Sequence, residues 1–438
     1  MRLIDRALRR AETTATSEDG GMTILALYVL AGALLISAFA VDFAYLQSAR
    51  TQLQIAADSA AHAALYYRER HSEADAKDKA VEIASHDMPA SEYGMVLNDS
   101  DVEFGIWSYS SNSFTPNSTA RNAVRVRPSR AKSTGNPVTA HLFRLLGQEE
   151  WDILTESVFV TFHPPCLNEG FVAEGVVDIQ SGNGFSNGFC IHSNTFVSLN
   201  QNNFFEPGTV VSMPDLSQLD LPKSGFEKNE GLQIALRTGY YRLRVLNRIE
   251  DIRADLEWGS GEFVPDYITN PSVISVSGKR LDATDFVENH IHKLSCTGGK
   301  TTIEAGTHLR KVVLMANCQV QFGQGVVLED VVIFNSDQGD KSFYAPSSLS
   351  IGLDDNCAPG GGAQLITMGG FDVAADLRLY GGQIIAVGDI MFAANANGVQ
   401  GASMIAGGEI SGTSNMEMSF CGNGMEDNYT ANYFRLAL

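Results

Sequence analysis

The stretch from Met22 to Val41 carries neither charge nor proline. A bilayer's hydrocarbon core is crossed by about 20 predominantly apolar residues in one helix, so this run predicts a transmembrane helix over 22–41. Arg2, Arg6, Arg9 and Arg10 precede it. Positive charge gathers on the cytoplasmic side of membrane helices, which makes residues 1–21 a cytoplasmic tail and exports everything after Val41. Ala38-Phe39-Ala40 has the spacing of a signal-peptidase site, so a secreted, cleaved chain is the alternative. The run exceeds the about 7–15 residues of a signal sequence's apolar region, which favours the anchor.

Beyond Val41 the apolar pattern changes face without stopping. Tyr45, Ala49, Leu53, Ala56, Ala60, Ala64 and Tyr67 recur at steps of three and four, and 42–70 contains no Gly or Pro. That periodicity predicts a helix continuous with the membrane span. The candidate packing residues are Ala49, Leu53, Ala56, Ala57, Asp58, Ala60 and Ala64; small side chains let backbones approach closely. Such a stripe meets either partner helices or the chain's own following strands. Glu73 to Met88 reads as a second helix stopped by Pro89, and Val138 to Leu146 as a short one. Strands are expected over Asp101 to Tyr109, Ala123 to Pro128 and Trp151 to Phe162. A long helix followed by antiparallel strands makes 42–163 an α+β, pilin-like domain.

His163-Pro164-Pro165 marks a boundary. In residues 166–438 short Val/Ile-rich pieces alternate with Gly and Asn turns, which predicts an all-β domain. Recurrence at about 20–25 residues suggests a right-handed β-solenoid, with a β-sandwich as the alternative. The domain is interrupted by a helical insertion over about 226–258, where Leu232, Leu236, Tyr240, Leu243, Leu246, Ile249, Ile252 and Leu256 share a helical face. The opposite face carries Arg237, Arg242, Arg244, Arg248 and Arg253, either salt-bridged to neighbouring acids or open to an acidic partner.

The first third resembles a known family. Val41-Asp42, Leu53-Gln54, Ala57-Asp58, Ala60-Ala61 and Ala64, then Gly105, Trp107, Phe114 and Ala123-Val124-Arg125-Val126, make residues 18–163 similar to TadE/TadG-like proteins of the Tad (Flp pilus) system. The resemblance implies a membrane-anchored, pseudopilin-like assembly component in the inner membrane of a Gram-negative cell, with exported domains in the periplasm or at the surface. Its partners would be other Tad/Flp assembly proteins or pilins, engaged through the N-terminal helix. Pilins cut after a glycine resemble one another in a Glu five residues past the cut; after Gly21 that position is Ala26. This departure implies an accessory protein, uncleaved or differently processed.

Charge and chemistry narrow the reading. A net charge of −20 disfavours nucleic acid and anionic lipid surfaces as partners of the exported part. The 6 cysteines, Cys166, Cys190, Cys296, Cys318, Cys357 and Cys421, all fall in the exported half, which suggests disulfides. Cys166 and Cys190, like Cys296 and Cys318, are spaced by about one solenoid coil; Cys357 and Cys421 would need a loop that folds back. The connectivity stays open. No phosphate-binding, zinc-protease or nucleophile-elbow motif occurs. His290 and His292 with Asp285 and Glu288 sketch a weak metal set. Asp354, Asp355, Asp372, Asp376 and Arg378 sketch a carboxylate face like that of polysaccharide lyases or hydrolases, against a simpler role as turn caps. The expected protein is a non-enzymatic Tad/Flp accessory component without cofactor or metal. The alternatives are a minor pilin or adhesin binding glycan through its β domain, and a β-helix polysaccharide enzyme.

Overall fold

The computed structural model describes residues 19–296, 298–412 and 414–438. Arg2, Arg6, Arg9 and Arg10 lie outside them. The chain forms two compact units: residues up to 162 with Tyr433–Leu438, and His163–Asn432.

The first unit is built on one helix, α1 (Asp19–Arg68), of 50 residues. Its apolar first part is long enough to cross a membrane, and its most apolar 18-residue window contains no buried residue. Past Val41 one face turns inward, burying Ala49, Leu53, Ala56, Ala57, Ala60, Ala61 and Ala64. A second helix, α2 (Glu73–Asp87), starts where the Ser72 hydroxyl accepts the Asp75 N–H and stops before Pro89. It buries Ala76, Ala80 and Ala84 in the same core, so alanine faces alanine and the two helices approach closely. Val102, Phe104, Val124 and Val126 close this core from an antiparallel sheet. The strand order is Ser113–Pro116, Val102–Ser108, Ala123–Val126, Ser157–Phe162 and Tyr433–Leu436.

The last of these strands departs from the sequence reading, which assigned everything to 438 to the β domain. Tyr433 pairs with Phe162 and Leu436 with Phe159. Phe434 packs its ring against His62 and Tyr66 of α1, at 5.8 and 5.9 Å between centroids. An edge strand with unpaired backbone and an aromatic shelf is a template for one more strand, and the C-terminus fills it. The second unit is therefore an insertion between two adjacent strands of the first. Residues 138–146 also differ from expectation: β-branched Val138–Thr139 pairs with Glu150–Trp151, leaving only a 3-10 turn over Phe143–Leu146.

In the second unit one sheet of 23 strands carries only parallel pairings among the described residues. Strands read apolar, polar, apolar, as in Val177-Asp178-Ile179, Val197-Ser198-Leu199 and Leu349-Ser350-Ile351, and bury the two outer positions. Period-two alternation sends alternate side chains to one face, so each short strand adds a layer to a single core. Gly170–Ala173 lies beside Cys190–Ser193 on one side and Ser403–Ala406 on the other. Val177–Ile179 likewise lies between Val197–Leu199 and Ile410–Gly412. The first layer of the unit is thus covered by both its own successor and the last layer. In stacking order the sheet runs from Asn270 to Ser419 and continues with 170 to 238, a circular permutation of chain order that brings both ends of the unit to the middle of the stack.

The segment joining the two outer ends of the stack lies at 239–269. The expected helix over 232–256 is divided: Leu236–Thr238 joins the parallel ladder beside Val211–Met213, Arg244–Arg248 is 3-10, and only Ile249–Trp258, α3, is a full helix. Gly239 falls at the break, where glycine weakens a helix.

Candidate functional site

Asp42 follows the apolar run directly and is only 3% exposed. Its carboxylate accepts backbone N–H groups from His141, Leu142 and Phe143 at 3.2, 3.0 and 2.7 Å. An anionic acceptor for several orphan donors at a helix start is a strong cap. Here it ties the turn over 140–147 to the point where α1 leaves its apolar stretch. Phe143 packs against Phe39 at 6.0 Å and His141 against Tyr45 at 4.4 Å. The spacing of the family pattern singled out Asp42, but not its partners, which lie about a hundred positions away.

The candidate packing residues Ala49, Leu53, Ala56, Ala57, Ala60 and Ala64 all lie in the first unit's own core, each no more than 3% exposed. Asp58 is half-buried and accepts the Gln54 side-chain amide at 2.9 Å, and that amide also donates to the Glu156 carbonyl. The stripe is covered by α2 and the sheet, so the surface α1 leaves open includes its apolar span and, beyond it, Ile55.

All six cysteines form disulfides: Cys166–Cys190, Cys296–Cys318 and Cys357–Cys421, with Cα separations of 5.0, 6.2 and 5.7 Å. Cys357 lies in a strand-free loop, at residues 352–362, that folds back to reach Cys421. Beside the first bridge, Gly170 has φ +154°, and a Cβ there would meet the Cys190 carbonyl oxygen at 2.4 Å. Glu169, 1% exposed, accepts N–H groups from Cys421 and Gly422, joining entry and exit of the unit. Burial pushes its carboxyl above the usual range despite those bonds.

The carboxylates that sketched an enzyme have local partners. Asp372 pairs with Lys341 at 2.6 Å. Asp376 sits at φ 55° and reaches Arg378 at 3.5 Å, and Asp355 accepts the Ala358 N–H. Asp355 is a turn position, whereas Asp376 lies at a positive-φ irregularity inside the strand Phe371–Ala386. His290 and His292 share a strand, but His292 is fully buried while the His290 ring meets the Glu288 carbonyl. Among the described residues no group of three or more His, Cys, Asp or Glu is placed to hold a metal. Two arginines of that face are drawn into internal pairs, Arg248 with Asp251 and Glu262 and Arg253 with Glu250 and Glu257, while Arg237 donates to the Ile234 and Leu236 carbonyls.

Sequence reading missed one polar constellation. His192 meets the Ser212 hydroxyl at 2.7 Å through Nδ1 and the Asn194 side-chain carbonyl at 2.8 Å through Nε2. Because that carbonyl only accepts, Nε2 donates and Nδ1 accepts from Ser212. Asn194 donates onward to Glu174 at 2.7 Å. The order resembles a nucleophile, base and orienting group. However, Ser212 is 2% exposed and His192 fully buried beneath the Tyr241 ring, which leaves a substrate no approach. Burial holds this imidazole below its ordinary pKa, as it does that of His292.

The second unit also holds a polar cavity of about 360 Å³, lined among others by Glu262, Asp266, Glu426, Asp427 and Asn428. Asn428 is 7% exposed and neither end of its amide has a partner. Burial, then the neighbouring Asp330, Glu426 and Asp266, push the Asp427 carboxyl up.

Family comparisons agree with this division. Residues 20–76 match the Flp pilus-assembly TadE/G-like family, and residues 58–158 match the Tad-like Flp pilus-assembly family. Residues 170–422 match a domain of unknown function, DUF7867. No curated protein matches the chain. The chain belongs to the DUF7867 family, whose model covers more than half of it, and its N-terminal part is similar to the TadE/TadG-like Flp pilus-assembly family.

Proposed function

We propose that this protein is a non-enzymatic accessory component of a Tad/Flp-type pilus assembly system. It is held in the inner membrane by a single span over 22–41, with its N-terminus in the cytoplasm and both folded units in the periplasm. The observation that carries this reading is the division of α1. Its first part exposes apolar side chains all round, with Met22 73% and Ile36 72% exposed, while its second part is built into a folded core. Exposed apolar surface of that length fits lipid or the transmembrane helices of other assembly proteins. Because α1's own unit covers the alanine stripe, partner pilins or assembly proteins meet the span and the exposed Ile55 beyond it. The parallel ladders and their recurrence, as between Asn183 and Asn203, 20 residues apart, support a β-solenoid for the second unit.

A second reading, a minor pilin or adhesin that binds glycan, has one observation in its favour. The unpartnered Asn428 amide in the polar cavity is the kind of group that a hydroxyl-rich ligand satisfies. Cell fractionation separates the two. An accessory component is recovered in the membrane pellet and is absent from sheared filaments; recovery in the filaments contradicts that reading and supports the adhesin.

A further inference from the structure

We propose that the turn over 140–147 is a second membrane contact, dipping into the interfacial layer of the leaflet from which α1 emerges. This inference rests on the reading of 22–41 as a membrane span.

The tip of this excursion reads His141-Leu142-Phe143-Arg144-Leu145-Leu146. Leu145 is 81% exposed and Leu146 61%. These side chains cover no part of the unit's core, although leucine is ordinarily among the most buried residue types. Their height along α1 is fixed. Asp42 holds the backbone of residues 141, 142 and 143, and the Phe143 ring rests on Phe39, in the last turn of the apolar run. The leucines therefore extend the exposed apolar surface of Met22–Val41 sideways at its outer end, beside Phe39 and Phe43, which are 57% and 50% exposed.

Continuity with the span identifies the occupant as lipid. Amphipathic helices lie with their apolar face about 5–10 Å into the boundary between headgroups and acyl chains, and the exposed Leu145 and Leu146 beside Arg144 offer the same chemistry on the scale of one turn. Two attachments, the span and this turn, would fix the tilt and rotation of the first unit on the membrane, where a single helix leaves it free to swivel.

The test uses the full chain in phospholipid vesicles at low protein density. Because every native cysteine among the described residues is in a disulfide, Leu145→Cys and, separately, Leu30→Cys each provide one thiol for an environment-sensitive fluorophore. The inference predicts that the probe at 145 is blue-shifted and quenched most by nitroxide lipids labelled near the headgroup. The probe at 30 should be quenched most by deep acyl-chain nitroxide. Quenching at 30 with none at 145 overturns the inference while the span stands, and assigns the leucines to a protein partner. Quenching at neither site overturns the membrane span itself, and this inference with it.

Discussion

At Ala60 a methyl group fills the available space. Its neighbours Ala56 and Ala64, and Ala76 and Ala80 across the core on α2, are all buried. Replacing Ala60 with leucine adds three carbons where none fits, and overpacking of this kind costs about 1–3 kcal/mol. Ile55, 55% exposed on the same helix, gives the contrast: Ile55→Ala changes stability by about 0.5 kcal/mol or less. Denaturant titration of the full chain checks both. The stripe itself was legible as a period of three and four. What covers it was not, because alanine serves equally well against a partner helix and against α2. Titration at the buried histidines has a definite sign. The imidazoles of His192 and His292 sit below their ordinary value of 6.5 in the folded unit. They contribute stability that is present above pH 6.5 and lost as pH falls through the folded values. Thermal melts of the second unit's transition should shift downward as pH is lowered from neutral, and less so in His192→Gln. His192 was missed in the sequence because a histidine between Ile191 and Ser193 carries no spacing signal; its meaning comes from Ser212, one layer along the stack.

Single layers of the β unit hold few residues, so their stability comes from stacking. Asn183, Asn203 and Asn229 repeat one position on successive layers: Asn203 Oδ1 accepts the Asn183 N–H at 3.0 Å, and Asn229 Oδ1 accepts that of Asn203 at 3.2 Å. The series continues across the junction, where Asn183 Oδ1 accepts the Met416 N–H at 3.0 Å. Alternating apolar and polar positions with Gly and Asn turns made such strands legible. Which layer lies against which was not, since nothing in the local pattern pairs residue 171 with residue 404. The same reasoning applies to Tyr433–Leu436, which read as a tail because its hydrogen-bonding partner, Ser157–Phe162, is far away in sequence. Deleting residues 433–438 exposes the edge of that partner strand and uncovers the His62 and Tyr66 rings. The first unit should then open at lower denaturant and aggregate through the bare edge. Hydrogen exchange at Val158 and Val160, faster in the truncated chain, checks this, and unchanged protection there contradicts it.

For the whole molecule, the permuted stack explains how a large β unit is inserted without breaking the small sheet that hosts it. The chain leaves that sheet at Phe162 and re-enters at Tyr433, partners on adjacent strands. Glu169 ties the corresponding ends of the β unit together through Cys421 and Gly422. Two chain segments therefore join the β unit to the first unit. The central claim is that this assembly serves pilus biogenesis from the membrane. It is tested most directly by the yield of pilin sheared from cells that lack the chain, measured against the same cells complemented with it. The account predicts that surface pilin is lost without the chain and restored by it. Pilin yield unchanged by the deletion would contradict it.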